Sequence, residues 1–238
     1  MTVLELRGVS RVHGVGAAAV RAIEGVNLGV RPGELVSVMG PSGSGKSTLL
    51  RLAGGLDRPT AGAVLVNGVD LGTLSRTALA AVRRRVVGYV FQDLNLLPTL
   101  TAAENVALPR ELDGVRARVA RKEALDALDD VGIADCADRF PDDLSGGQRQ
   151  RVAIARAFVG ERALVLADEP TGALDSHTGE AVLRLIRDRC DQGAAGVLVT
   201  HEARHAAWAD RIVFLSDGRL VDDTGAPTTA ESLLEGAS

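Results

Sequence analysis

Apolar residues occur along this chain in short compact runs that alternate with longer helical stretches. Leu35–Met39 is such a run, and residues 86–91 and 163–167 form two more. Residues 47–53 and 176–190 have the spacing of helices. Short apolar runs without alternation are typical of strands that are buried on both faces. Strands that alternate with helices predict a parallel sheet covered by helices.

Two other segments show a different pattern. The first thirty residues alternate apolar and polar positions around glycines, which predicts short antiparallel strands. Residues 64–66 precede Asn67-Gly68, a pair that favours a hairpin turn. From about residue 93 to about residue 143 the chain is rich in Ala, Leu, Asp, Glu and Arg, with Leu125 and Leu128 near helical spacing. This composition predicts a helical insertion.

We therefore expect one α/β domain over residues 1–238 with three parts. Residues 1 to about 92 would hold an N-terminal antiparallel β subdomain and the first part of a parallel-sheet core. Residues from about 93 to 146 would form the α-helical subdomain, and residues from about 147 to 238 would complete the core. A chain of this length buries a substantial apolar core.

The composition is that of an ordinary globular protein, with 46% hydrophobic and 24% charged residues. The net charge is −4 and there is no long block of Lys or Arg, so we expect no nucleic-acid partner. Cys136 and Cys190 are too few for a disulfide framework or a metal cage. We see no signal peptide and no run of about 18 apolar residues, so we expect no transmembrane segment of its own.

A glycine-rich segment follows the run at Leu35–Met39. It comprises Gly40, Pro41, Ser42, Gly43, Ser44, Gly45, Lys46, Ser47 and Thr48. The segment matches G-x-x-x-x-G-K-[ST], in which backbone N–H groups form a nest for phosphate and the next helix adds its positive dipole end. Lys46 is expected to reach the β- and γ-phosphates, and the Ser47 hydroxyl to coordinate Mg²⁺. The motif predicts a P-loop NTPase (RecA-like) core.

Asp168 and Glu169 follow the apolar run at residues 163–167. In open α/β sheets, ligands bind at the carboxyl ends of the strands. Asp168 is expected to hold Mg²⁺ through water, and Glu169 to orient and polarise the attacking water, because phosphoryl transfer depends mostly on positioning and charge stabilisation. Taken alone, the pair fits an ordinary strand end about as well. The upstream phosphate loop favours the catalytic interpretation.

The order of the motifs resembles that of ATP-binding-cassette (ABC) ATPases over roughly residues 3 to 221. The order is the phosphate loop, Gln92, residues 144–148, Asp168-Glu169, residues 173–175 and His201. Residues 144–157, LSGGQRQRVAIARA, resemble the signature stretch of that family. The resemblance implies that Gln92 contacts Mg²⁺ and the nucleophilic water. It also implies that Asp175 communicates across a dimer and that His201 contacts the γ-phosphate.

The signature residues Ser145, Gly146, Gly147 and Gln148 also have a physical sense. Ser145 and the amides of the two glycines would start a helix and so offer a second anion site. A chain needs only one phosphate cradle for each nucleotide, so the second would serve the nucleotide of a partner chain. We therefore expect a head-to-tail homodimer with two ATP molecules between the chains. Binding of ATP would close it and hydrolysis would release it.

Residues 91–101, FQDLNLLPTLT, resemble one branch of the family in particular. That branch comprises the ATPases of lipoprotein-release, macrolide-export, antimicrobial-peptide-resistance and cell-division systems. The resemblance implies a separate integral-membrane permease as partner and a peripheral location on the cytoplasmic face of the membrane. Leu94, Leu96 and Leu97 suit either a docking surface for the permease or local core packing.

His13 departs from the family pattern, which usually has an aromatic residue near this place to stack on adenine. Imidazole can stack, although over a smaller area. His13 also fits a plain loop residue. Both interpretations stay open.

The leading hypothesis is an ATP-binding and ATP-hydrolysing subunit of a membrane transporter or mechanotransmitter. The alternative is a soluble ABC ATPase that acts in a non-transport process such as DNA repair or translation. Those proteins usually carry tandem cassettes, coiled-coil insertions or zinc motifs, and the sequence shows none of these. A small-molecule kinase with a phosphate loop would not need residues 144–148. The cargo cannot be read from this chain.

Overall fold

The computed structural model describes residues 2–14, 16–172 and 174–224. Ala173 of the 173–175 motif lies outside the described residues, as does the tail at 228–238, for which a short helix or a frayed end is expected.

The strands are β1 (Leu4–His13), β2 (Val20–Val30), β3 (Leu35–Met39), β4 (Ala61–Val66), β5 (Val69–Asp70), β6 (Val87–Val90), β7 (Leu164–Asp168), β8 (Ala195–Val199), β9 (Arg211–Ser216) and β10 (Arg219–Asp223). The helices are α1 (Lys46–Ala53), α2 (Arg76–Arg85), α3 (Ala102–Glu111), α4 (Ala117–Asp130), α5 (Gly146–Phe158), α6 (Ser176–Asp191) and α7 (Ala203–Ala206).

A four-stranded antiparallel sheet forms the N-terminal part, in the order β2-β1-β4-β5. β1 and β2 span 10 and 11 residues, so they are longer than the short strands expected from the sequence. Asn67 and Gly68 have φ angles of 49° and 78° and connect β4 to β5. Two successive left-handed residues are typical of a type I′ hairpin turn, so the expected hairpin is confirmed.

A six-stranded sheet forms the core, in the order β10-β9-β3-β8-β7-β6. All its pairings are parallel except that of β10 with β9. The sequence pattern did not predict the β9–β10 hairpin. Its signal is Asp217-Gly218, with φ angles of 48° and 77°, the same turn chemistry as Asn67-Gly68.

The core sheet separates two apolar clusters. Neighbouring residues of one strand belong to opposite clusters, as Leu35 and Val36 do on β3, because successive side chains of a strand point to opposite faces. One cluster lies among α3, α4, α5 and α6, and the other lies between α1 and the antiparallel sheet. With both faces covered, the carboxyl edge of the sheet is where loops and polar groups collect.

The helical insertion is present as α3 and α4, which pack against each other and against α5. Thr101 caps α3 in a reciprocal pair with Glu104, so the start of this helix is fixed by its own sequence. The expected fold class, with a parallel core, an antiparallel subdomain and a helical insertion, is confirmed. In the described ranges, no helix has both the length and the apolar character needed to cross a membrane.

Candidate functional site

The phosphate loop lies in an open cleft of about 790 Å³ at the carboxyl ends of the core strands. Loop residues in the lining are Gly40, Ser42, Gly43, Gly45, Lys46, Ser47 and Thr48. The other lining residues are Val20, Arg21, Ala22, Gln92, Asp93, Gln150, Asp168, Glu169, Gly172, Val199 and His201. The predicted catalytic residues Gln92, Glu169 and His201 therefore share one cleft with the phosphate loop.

Glycine is required at two positions of the phosphate loop. Gly40 has φ 149°, and a Cβ there would lie 2.0 Å from the carbonyl oxygen of Leu215. Gly45 has φ 106°, and its Cβ would lie 2.3 Å from the carbonyl oxygen of Ala22. The loop is thus pressed against the backbones of β9 and β2, and any larger residue at these positions would displace it.

Helix α1 starts at the centre of this loop. Its N-cap is Gly45, and no side chain caps the helix. The Nζ of Lys46 donates hydrogen bonds to the carbonyl oxygens of Gly40 and Pro41, at 2.7 and 2.8 Å. Uncapped N–H groups, a positive helix end and an ammonium group at one place make a strong site for an anion.

Ser47 and Asp168 meet on the floor of the cleft. The Ser47 hydroxyl stabilises the carboxylate of Asp168, a residue that is only 5% exposed. Burial raises the pKa of Asp168, and the neighbouring carboxylates of Glu169 and Asp93 raise it further, although the Ser47 hydrogen bond lowers it. A cation beside Asp168 would favour the carboxylate form, so this pair of oxygen groups suits a hard metal ion.

Glu169 and His201 form a hydrogen-bonded pair in the lining of the cleft. The Nδ1–H of His201 donates to Glu169 Oε1 at 2.8 Å, and the carboxylate raises the pKa of His201 through this hydrogen bond and through its charge. Glu169 has φ 48°, unusual for a residue with a side chain. Its N–H donates to the carbonyl of Val199 and its own carbonyl accepts from Gly172, which hold this conformation in place.

Gln150 is a cleft residue that the sequence motifs did not predict. It lies on α5, is 3% exposed, lines the cleft and donates from Nε2 to the carbonyl oxygen of Pro170 at 2.7 Å. The sequence does contain a signal for its burial. Gln150 lies three, four and seven positions before Ala153, Ile154 and Ala157, so it falls on the same buried face of α5. A polar residue in an apolar stripe needs a buried partner.

The signature residues lie outside this cleft. Ser145 is the N-cap of α5, and its Oγ accepts from the N–H of Gln148 at 3.2 Å. The Oε1 of Gln148 accepts in turn from the Ser145 N–H at 2.9 Å. Ser145 is exposed, and a Cβ on Gly146 would have no heavy atom within 4 Å. This helix end is therefore open to a ligand or partner from outside.

Asp175 and His13 do not line the cleft either. Asp175 is the N-cap of α6, where its carboxylate accepts from the N–H and the hydroxyl of Thr178 at 3.0 and 2.7 Å. These hydrogen bonds hold the pKa of Asp175 below its usual value. His13 is exposed and pairs in register with Val20, a lining residue of the cleft. Its side chain shares one face of the sheet with that of Val20.

Comparison with known proteins agrees with the geometry. The model of the family described as ABC transporter matches residues 23–172. The chain belongs to the ABC transporter family. The expected family membership is thus confirmed, and the match includes the phosphate loop, residues 144–148 and Asp168-Glu169.

Several relatives of the ABC transporter family are similar over most of this chain. The ABC transporter ATP-binding protein YknY of Bacillus subtilis is 45% identical over 92% of this chain and 95% of its own length. The macrolide export ATP-binding/permease protein MacB of Brucella melitensis is 45% identical over 93% of this chain. The chain spans 34% of the length of that MacB.

A solved structure is similar at the level of the fold. It is the dimeric post-hydrolysis state of the ATP-binding cassette MJ0796 bound to ADP and Pi. The TM-score is 0.88 and the identity 41%, over 92% of this chain and 97% of the other. This chain therefore has the fold of an ATP-binding cassette.

Proposed function

We propose that this chain is the ATP-binding and ATP-hydrolysing subunit of an ABC transporter or mechanotransmitter. Two copies close on two ATP molecules and so drive a separate permease. The observation that carries the proposal is the convergence of Lys46, the Ser47–Asp168 pair and the Glu169–His201 pair on one cleft. These are the groups that hold phosphates, hold a metal ion and position water.

The phosphates of ATP would lie against the start of α1. The loop amides and Lys46 would bind the β- and γ-phosphates, since they combine the helix dipole with an ammonium charge. Ser47, Asp168 and Gln92 would hold Mg²⁺, because they present oxygen atoms, the ligands that Mg²⁺ prefers beside substrate phosphates. The metal ion would neutralise charge on the phosphate oxygens.

Hydrolysis would depend on Glu169, His201 and Gln92. Glu169 would orient the attacking water and polarise it, with its carboxylate held in place by the Nδ1–H of His201. The imidazole and Lys46 would stabilise charge that develops on the γ-phosphate. Gln92 lines the same cleft and would complete the positioning of the water.

A second copy would supply the signature residues. They do not line their own chain's cleft, and the exposed start of α5 offers N–H groups to an outside anion. Asp175, at the exposed start of α6, would contact the partner subunit. The related cassette MJ0796 is dimeric with ADP and Pi, which supports this arrangement.

The permease would dock in an apolar groove of about 350 Å³ between the core and the helical insertion. Leu56, Tyr89, Phe91, Leu108 and Leu112 line it, and Leu112 is 63% exposed. An exposed apolar groove with a charged rim is typical of a protein interface. Docking there would hold the chain at the cytoplasmic face of a membrane. The three leucines expected either to dock the permease or to pack locally do not line this groove; Leu96 packs against the core, and Leu97 is 43% exposed.

The substitution Glu169→Gln tests the function and the dimer together. We expect the hydrolysis rate to fall by about 10²- to 10⁴-fold, because activation of the water is lost. The phosphate-binding groups remain, so the variant should form a stable dimer with ATP and Mg²⁺ on size-exclusion chromatography. A variant that stays monomeric at saturating ATP would contradict the two-chain site. Stable co-purification with ribosomes or DNA, and with no permease, would favour a soluble ABC ATPase in a non-transport process.

His13 would be the adenine-stacking residue, because it lies next to Val20 at the mouth of the cleft. A larger ring stacks more strongly, so His13→Tyr should tighten ATP binding by about two- to tenfold. Isothermal titration with ATP measures the change, and GTP serves as the control for selectivity. An unchanged or weaker affinity for ATP would mean that His13 does not stack on adenine and is only the last residue of β1.

A further inference from the structure

Helix α5 carries polar side chains that bind backbone carbonyls next in sequence to residues that line its own chain's cleft. Arg156, near its C-terminal end, donates from Nη1 to the carbonyl of Asn95 at 2.6 Å and from Nη2 to the carbonyl of Leu94 at 2.5 Å. In the described part of the chain, no carboxylate pairs with Arg156. A charged guanidinium in a partly buried place is therefore satisfied by two carbonyl groups of one loop.

The loop that Arg156 holds has a strained backbone. Leu94 and Asn95 have φ angles of 48° and 51°, both in the left-handed region. Asn tolerates this region, but Leu does not favour it. Such a conformation persists only where its surroundings fix it. The two hydrogen bonds from Arg156 are contacts of that kind, and Gln92, which lines the cleft, is two residues away.

Gln150 makes the second connection. Its amide donates to the carbonyl of Pro170, the residue after Glu169. Both loops that carry the proposed water-positioning groups are therefore bonded to the same helix. That helix begins at Ser145, the signature residue that faces outward.

We propose that Arg156 and Gln150 are positioning residues through which α5 fixes the hydrolytic groups of its own chain. The proposal rests on the proposed function.

Arg162 provides a matched control. It is also a half-buried arginine whose pKa burial lowers, to about 10, and it also donates to a carbonyl, that of Arg84. It does not line the cleft, and its hydrogen bond goes to a residue outside the 92–95 loop. Arg156→Lys and Arg162→Lys therefore remove guanidinium–carbonyl contacts from different places.

The first measurement is hydrogen exchange, which needs no enzymatic activity. We expect Arg156→Lys to exchange several-fold faster in peptides that cover residues 92–97, because the left-handed loop loses its support. Arg162→Lys should leave those peptides unchanged. Equal exchange in the wild-type chain and in Arg156→Lys would overturn the proposal, whether or not the chain hydrolyses ATP.

The second measurement is steady-state ATP hydrolysis with a separate ATP affinity. We expect Arg156→Lys and Gln150→Glu each to lower kcat roughly tenfold and to change the Kd of ATP by less than about twofold. An unchanged kcat in both variants, or a loss of kcat matched by an equal loss of affinity, would overturn the positioning role. If the wild-type chain hydrolyses no ATP, the proposed function fails, and the exchange comparison still decides whether α5 holds the loop.

Discussion

In the described part of the chain, two helices begin at a glycine-rich motif, and their N-termini are capped differently. Helix α1 begins at Gly45 with no side-chain cap and faces the cleft of its own chain. Helix α5 begins at Ser145, which is capped reciprocally with Gln148 and lies outside that cleft. Both present the positive end of a helix dipole, but only α1 begins without a side-chain cap for its first N–H groups.

This difference separates a site that needs a ligand from a surface that needs a partner. The α1 end is enclosed by the backbone of the same chain, since a Cβ at Gly45 would lie 2.3 Å from the Ala22 carbonyl oxygen. The α5 end is already capped and open, with space around Gly146. We expect the α1 end to bind phosphate as a monomer. We expect the α5 end to contribute only when another molecule is brought to it.

The largest effect is expected from moving the same substitution between the two motifs. In Gly45→Ala the methyl group meets the Ala22 carbonyl and the backbone is left-handed, so the phosphate loop must shift. A displacement of about 1 Å in such a site lowers function by about 10²-fold, and we expect ATP affinity to fall by at least about that factor. Gly146→Ala has room, so ATP affinity of the monomer should change by less than about twofold.

Gly146→Ala should instead weaken the ATP-induced dimer, measured in a Glu169→Gln background by analytical ultracentrifugation. Fluorescence titration with a labelled nucleotide measures the monomer affinity of both variants. If the two substitutions weaken ATP binding by the same factor, the distinction between the two helix ends is wrong.

A smaller effect is expected from removing the cap of α5. Ser145→Ala should destabilise the fold by about 1 kcal/mol, which lowers the Tm by roughly 2–4 °C in a domain of this size. Thr101→Ala on α3 is the matched control, because Thr101 and Glu104 form the same reciprocal cap. Both variants should lose similar stability, but only Ser145→Ala should also weaken ATP-driven dimerisation. If the two variants dimerise equally, Ser145 acts only as a helix cap and has no role in dimerisation.

Most of the site could be predicted from the sequence because its motifs are local. The phosphate loop, Asp168 and Glu169 each depend on a strand end and a few adjacent residues, and a contiguous pattern records that. The division into three sequence segments stays a prediction. The roles of the individual site residues also stay predictions, and these are the phosphate loop, the signature residues 145–148, Gln92, Asp168, Glu169, Asp175, His201 and His13.

Long-range contacts could not be predicted from the sequence. Gln150 reaches Pro170 and Arg156 reaches Leu94 and Asn95, across 20 positions in the first case and 62 and 61 in the second. Neither side chain belongs to a local pattern that names its partner. The left-handed backbone at Glu169 and Leu94 could not be predicted from the sequence either, since neither residue type favours this conformation.

The smallest effect is expected for the Glu169–His201 pair, which lines the same cleft as the start of α1. His201 and Glu169 satisfy each other, as Ser145 and Gln148 do at the other motif. The carboxylate raises the pKa of His201 above its ordinary value of 6.5. The stabilising effect of the pair is therefore complete below pH 6.5 and is lost as the pH rises through the raised value. Because His201 is 70% exposed, solvent screens the effect.

An NMR titration of the histidine Cε1 protons measures this pair directly. We expect the midpoint of His201 to lie above 6.5 and to move down in Glu169→Gln, because the hydrogen bond and the charge that favour the imidazolium are both removed. His177 on α6 is the internal reference. If the His201 midpoint does not move, the carboxylate of Glu169 is not paired with His201 when the protein is in solution. The hydrogen bond between His201 and Glu169 would then not hold the Glu169 carboxylate in place in the nucleotide-free chain.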